Sequence, residues 1–178
     1  MTDLSQYEAA ILCGGQSRRM GRDKAFLRSR QGQLLIHILA EKLAPKFHEV
    51  HLITNDPLKF APYPELAAYP ILPDVHPGCG PSGAIRTALL AKPGRTFFIT
   101  AGDQPALRPD IIEKLAELMI QTQADLVLPR FGHSIEPLHA FYGPGCEPAL
   151  AETLKAGRLA IREIFPAIKT VYLELDEG

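Results

Sequence analysis

The chain has 178 residues, the size of one ordinary domain, and its 46% hydrophobic and 22% charged residues supply enough apolar material for a core, which excludes intrinsic disorder. Nineteen Lys and Arg against twenty Asp and Glu leave a formal charge of −1, so the basic footprint of a nucleic-acid binder is absent and no nucleic-acid partner is expected. No apolar run approaches the roughly 18 residues of a membrane span, so no membrane partner is expected either.

In chain order, Tyr7 to Cys13 (YEAAILC) predicts a buried strand that stops at Gly14-Gly15. Leu34 to Leu43 is apolar at 34, 35, 36, 38, 39 and 43, one face of a helix, and Pro45 closes it. Glu49 to Thr54 reads as a second strand, ending at Asn55-Asp56-Pro57, and a short third strand ends near Leu72. Pro81 opens a helix through Leu90, because a first-turn proline loses no hydrogen bond there. Thr96 to Thr100 is a fourth strand, and Pro109 opens a helix with Ile111, Ile112, Leu115, Leu118 and Met119 as its apolar stripe. Asp125 to Leu128 and Leu138 to Tyr142 read as strands, Cys146 to Lys155 as a helix, and Val171, Leu173 and Leu175 alternate in a final strand. A further late helix would carry Arg158 and Arg162 on one face at i, i+4.

Strands alternating with helices at this spacing predict an α/β domain over residues 1–178, with a mostly parallel sheet covered on both faces by helices. Ligands of such sheets sit outside the carboxyl ends of the strands. The residues that follow the strands are therefore the informative ones: Gly14 to Lys24, Asn55, Asp74 and Asp103.

The first of these loops reads LCGGQSRRMGRDK over residues 12–24. Two glycines directly after a buried strand let backbone N–H groups approach an oxyanion. Arg18, Arg19, Arg22 and Lys24 add four cations within seven residues, and guanidinium and ammonium groups both match phosphates. A solvated turn explains the glycines alone; glycines and cations together favour a polyphosphate site. Asp103, directly after TFFIT, is placed to hold Mg²⁺, which needs only one or two carboxylates besides substrate phosphates; a turn-stabilising Asp ahead of Pro105 is the competing reading. Asp74 to Gly83 (DVHPGCGPSG) is either a loop that reads a flat ligand or a rigid entry into the next helix, and Asn55 is either a polar contact or a strand-ending residue.

Other chemistry is poorly supported. The six histidines show no metal-ligand spacing, and His51 and His139 fall inside strand patterns as satisfied structural residues. No nucleophile elbow is present. Cys13, Cys79 and Cys146 are odd in number and never form C-x-x-C, which argues against a disulfide framework. With Asp3 and Glu8 in place of a basic leader, the expected setting is a reducing cytoplasm.

The first loop resembles the L-x-G-G-x-S-x-R-M-G-x-D-K signature of the molybdenum cofactor guanylyltransferase family. ILPDVHPGCGPSGAI (residues 71–85), FFITAGDQPAL (97–107) and the block from Glu136 to Phe165 are similar to later parts of the same family. The resemblance implies a Rossmann-like nucleotidyltransferase fold and transfer of GMP from GTP to molybdopterin bearing molybdenum, with release of pyrophosphate. It implies GTP contacts at Leu12, Gly14, Lys24, Asp74 and Asp103, with Asp103 also holding Mg²⁺, and Gly15 and Arg19 match the same signature. Lys24, Arg19 and Asp103 are thus the expected catalytic set, and Asn55 matches a polar position after the second strand. Cys13 stands where family members commonly carry Ala and is expected to pack similarly at the nucleotide site. Family chains continue past the last strand into an Asn-x-x-Thr-Pro segment on the molybdopterin side, whereas this sequence ends at Leu173-Glu-Leu-Asp-Glu-Gly178. Proteins that deliver or receive the molybdenum cofactor are the expected partners. A cytidylyltransferase, a sugar-phosphate nucleotidyltransferase and a non-catalytic GTP-binding module are the rival readings.

Overall fold

The computed structural model describes residues 1–14, 23–104 and 106–176. The first strand, β1 (Glu8–Leu12), is followed by helix α1 (Leu35–Leu43), strands β2 (Val50–Thr54) and β3 (Ile71–Pro73), and helix α2 (Gly80–Ala91). Then come β4 (Phe97–Ala101), α3 (Pro109–Thr122), β5 (Leu126–Phe131), β6 (Ser134–Ile135), β7 (His139–Tyr142), α4 (Cys146–Lys155) and β8 (Thr170–Leu175). The sheet order is β3-β2-β1-β4-β7-β5-β6, and β8 pairs with β5. β1 runs parallel to β2 and β4, β2 to β3, and β5 to β8, while β7 is antiparallel to both β4 and β5.

Every residue of β1, β2 and β4 is buried. Period-two alternation divides them between two cores. Ala9, Ile11 and Phe98 pack with Ile36 and Leu39 of α1 and with Ile111 and Leu115 of α3. Ala10, Leu12, Phe97 and Ile99 pack on the other face with Ile85 and Leu89 of α2 and Leu150 of α4. The predicted α/β layering is the observed one, and Pro81 and Pro109 both fall in the first turns of their helices. No helix among the described residues is long and apolar enough to cross a membrane.

Two expectations about the elements need correction. β5 runs through Pro129 to Phe131 instead of stopping at Leu128. It pairs with β7 through Leu126 and Val127 and with β6 through Arg130 and Phe131, so the missing N–H of Pro129 falls between the two antiparallel pairings. The late helix bearing Arg158 and Arg162 does not form: Gly157, at φ +72°, ends α4, Arg158 N donates to Thr153 O at 2.8 Å, and residues Ile161–Ala167 make a 3₁₀ segment containing Pro166. Arg158 instead pairs with Glu163 at 3.1 Å.

The two strand histidines, His51 buried and His139 half-buried, pack against aromatics but are only partly satisfied. His51 Nε2 lies 3.2 Å from Glu8 Oε2 and 3.3 Å from Glu49 Oε2, while its Nδ1 has no hydrogen-bond partner among the described residues. Arg95 (3.1 Å from Glu8) and Lys92 (3.4 Å from Glu49) neutralise the two carboxylates. His139 packs edge-on against Phe98 at 5.1 Å, and its Nε2 likewise lacks a partner.

Burial pushes the His139 imidazole down to about 4, against an unfolded value of about 6.5. Between those values the unfolded chain takes up a proton that the folded one refuses, so His139 lowers stability progressively as pH falls through that window. Denaturant-unfolding free energies between pH 6.5 and 4.5 are expected to decline less steeply in His139→Gln than in wild type. The difference is at most about 1.4 kcal/mol per pH unit. Equal slopes would remove His139 as the source.

Candidate active site

Three backbone hydrogen bonds bring the strand ends to one level. Cys13 N donates to Ile53 O at 2.8 Å, Gly102 N to Leu12 O at 2.9 Å, and Asp74 N to Thr54 O at 2.8 Å. Each continues a parallel ladder just past its strand, so the segments leaving β1, β2, β3 and β4 begin side by side. They frame a cleft of about 360 Å³. Leu12, Cys13, Gly14, Lys24, Asn55, Asp74 and Asp103 all line it, which brings together every sequence-selected site residue that the structure describes. Gly15 and Arg19 lie outside the described residues.

Leu12 and Cys13 are buried and form the floor. The Cys13 thiol donates to Ile11 O at 3.4 Å, and burial raises its pKa far above the ordinary thiol range, so it is a packing group and not a nucleophile. Gly14 lies against Asn55: a Cβ built on it sits 3.6 Å from Asn55 Nδ2. Lys24 opens a short 3₁₀ turn capped by Asp23, whose Oδ1 accepts from Ala25 N at 3.1 Å and whose Oδ2 pairs with Lys59 at 3.3 Å. Phe26 stacks on Tyr63 with centroids 4.5 Å apart, anchoring this turn beside the cleft.

Asp74 is half-buried and held firmly. Its Oδ1 accepts from His76 N at 2.8 Å and from Thr87 Oγ1 at 3.0 Å, which fixes the carboxylate in the cleft wall. Asp103 is exposed at the mouth, in a turn closed by Gln104 N donating to Ala101 O at 3.2 Å. Gly102 places it there: a Cβ at this position would come within 2.7 Å of Ile36 Cγ2 and 3.3 Å of Leu12 O. The backbone passes so close to α1 and the end of β1 that no side chain fits.

Gly102 and Leu138, neither of them a sequence-selected site residue, also line the cleft. A glycine between a buried strand and a candidate carboxylate was the available signal for Gly102. Leu138 was hidden by topology, because β7 is antiparallel to β4 and the residue that precedes it reaches the edge that other strands reach with the residue that follows.

The cleft offers two carboxylates, Asp74 and Asp103, together with the Lys24 ammonium. This donor set suits a hard cation that shares its remaining positions with ligand oxygens, and it is not a closed protein cage. Among the described residues, the group with three converging ligand atoms is Glu8, Glu49 and His51. It sits at the opposite, amino-terminal end of β1 and β2 and is already charge-compensated by Arg95 and Lys92.

A family model described as the MobA-like NTP transferase domain matches residues 9–171. The molybdenum cofactor guanylyltransferase of Syntrophotalea carbinolica is 31% identical over 165 residues, covering 93% of this chain and 76% of that protein. The molybdopterin-guanine dinucleotide biosynthesis protein A of Archaeoglobus fulgidus superposes with a TM-score of 0.80 at 24% identity, covering 94% of this chain and 83% of that one. The Mycobacterium tuberculosis protein Rv0371C, solved in complex with manganese, gives a TM-score of 0.64 at 17% identity over 97% of this chain and 90% of its own.

Gly102→Ala forces a methyl group into Ile36 and the end of β1. We expect about 1–3 kcal/mol of lost stability in urea titrations, the range for overpacking a tight site. Unchanged stability would show that the turn before Asp103 can relax freely.

Proposed function

The chain belongs to the MobA-like NTP transferase family, and from that premise we propose that it transfers GMP from GTP to the terminal phosphate of molybdenum-bound molybdopterin, releasing pyrophosphate. The observation that carries the reading is that Gly14 and Lys24, from the loop after β1, share one cleft with Asp103, from the turn after β4. A cradle for phosphate at one strand end and an acidic cation holder at the next are complementary halves of a polyphosphate site.

In this reading the acceptor phosphate oxygen attacks the α-phosphorus in line with departing pyrophosphate. The acceptor is already ionised, so the protein supplies position and charge rather than a strong base. Two unit charges about 4 Å apart repel by roughly 4 kcal/mol at an effective dielectric near 20. Lys24, the amides of Gly14 and Gly15, and Arg19 offset that repulsion on the triphosphate side. Leu12 and Cys13 present backbone at the floor, and Asn55 and Asp74, with the loop from Asp74 to Gly83, face the nucleoside. Asp103 would hold Mg²⁺, which supplies Lewis-acid stabilisation of the phosphates when bound. Cys13, Cys79 and Cys146 are free thiols, which fits a reducing cytoplasm. Molybdopterin arrives and leaves through partners that carry the molybdenum cofactor.

Removing Asp103 as Ala should lower turnover by at least about 10²- to 10³-fold, the typical cost of deleting one preorganised electrostatic group. Pyrophosphate release is the measurement, with circular dichroism confirming the fold; wild-type turnover would sink the cation assignment. Lys24→Ala should weaken GTP binding and slow turnover in the same assay, and unchanged values for both would remove Lys24 from the phosphate cradle. Competition among GTP, CTP and ATP at fixed Mg²⁺ should favour GTP, whereas preference for CTP would move the chain to cytidylyl transfer.

A further inference from the structure

The loop between β3 and α2, together with the first turn of α2, forms one wall of the cleft through Asp74, Gly78, Gly80 and Pro81. Gly78 at φ +81° and Gly80 at φ +62° give it a backbone path with few intrinsic restraints. Such a segment binds well only if something else has already removed its freedom.

Its restraints come from behind the wall. Val75 N donates to Thr87 Oγ1 at 3.1 Å, and Thr87 in turn donates to Asp74, which fixes the start of the loop to α2. The centre is held through His76. Arg86, on α2, lies with Nη1 2.7 Å from His76 Nε2 and donates from Nε to Glu147 Oε1 of α4 at 3.0 Å. Arginine has donors only, so the His76 Nε2 atom accepts and the imidazole carries its proton on Nδ1. One guanidinium thus ties the loop to two helices at once. The loop lies flat on α2, since a Cβ at Gly83 would come within 2.9 Å of both His76 Cβ and His76 O. His76, Arg86 and Glu147 are not among the residues lining the cleft.

We infer that the His76–Arg86–Glu147 relay is a positioning device that presets the nucleoside-facing loop, with Arg86 as its central residue. The inference rests on the GTP reading above and adds to it a determinant that acts through the loop without touching the nucleotide. The relay governs the nucleoside end, not the phosphate end, because Lys24 and Gly14 reach the cleft from the loop after β1. Loss of the relay therefore weakens GTP while leaving a bare polyphosphate unaffected.

The test compares wild type with Arg86→Met, which keeps the alkyl stem and deletes both donors. His76→Ala and His76→Gln accompany it, the glutamine restoring an acceptor oxygen near the position of Nε2. The expected result is a GTP Kd raised about tenfold in Arg86→Met and His76→Ala, the scale of one lost charge-assisted hydrogen bond. In Arg86→Met the Kd for tripolyphosphate and kcat at saturating GTP should stay within about twofold, a change worth less than half a kcal/mol. His76→Gln should stay near wild type in GTP affinity, and amide exchange over residues 75–80 should quicken in Arg86→Met without ligand. Equal weakening of GTP and tripolyphosphate, or faster loop exchange with unchanged GTP affinity, would overturn the relay. Wild-type protein that binds CTP or ATP in place of GTP would overturn the guanylyl reading alone. The Arg86→Met to wild-type ratio of Kd for that nucleotide then supports the relay if raised and overturns it if not.

Discussion

The cleft depends on the parallel ladder continuing just past the strands, through the bonds from Cys13 to Ile53, from Gly102 to Leu12 and from Asp74 to Thr54. Parallel strands place equivalent ends on one edge, but matched lengths are needed for those ends to meet at one depth. Here β1, β2 and β4 are each five residues long and fully buried, so the apolar faces fix their register and the register fixes the cleft. A slip of one residue would turn Ile11 toward the α2–α4 face and Leu12 toward the α1–α3 face, and would separate Gly14 from Asp103. The same burial that stabilises the sheet therefore assembles the polar residues at its edge.

Charge is distributed along the strands in two different ways. At the amino-terminal ends, Glu8, Glu49 and His51 meet Arg95 and Lys92 in a compensated network, leaving little field for a further ion. At the carboxyl ends, Lys24, Asp74 and Asp103 line an open cleft from separate segments. A compensated cluster suits a structural role, whereas separated charges around an open space are available to a ligand that brings charges of its own. This contrast, more than any one residue, distinguishes the edge left open to a ligand from the edge that braces the sheet.

Much of the fold was legible because each element carried its own signal. Buried strands ended at glycines or Asx residues, and helices opened on Pro81 and Pro109. Asp103, Asp74, Asn55 and the loop after β1 stood out because polar residues directly followed apolar runs. What escaped the reading depended on partners distant in sequence. Pro129 ends a strand on local grounds, yet β5 continues through it because β7 and β6 pair on either side of that position. Arg158 and Arg162 have helical spacing, yet Gly157 in the left-handed region ends α4 before they can share a face. Leu138 was invisible until β7 proved antiparallel.

The amino-acid sequence on its own determined the alternation of strands and helices, the two-faced burial of the sheet and the position of each candidate polar group after a strand. Those features follow from hydrophobic period and from the local chemistry of glycine and proline, which neighbouring residues suffice to express. Only the tertiary structure decided that Gly14, Lys24, Asp74 and Asp103 share one space, that Gly102 must lack a side chain beside Ile36, and that Arg86 braces His76 from α2 while holding Glu147 on α4. The reason is distance along the chain: Leu12 and Gly102, or Arg86 and Glu147, meet only after sheet register and helix packing are fixed, and no local pattern encodes such a meeting.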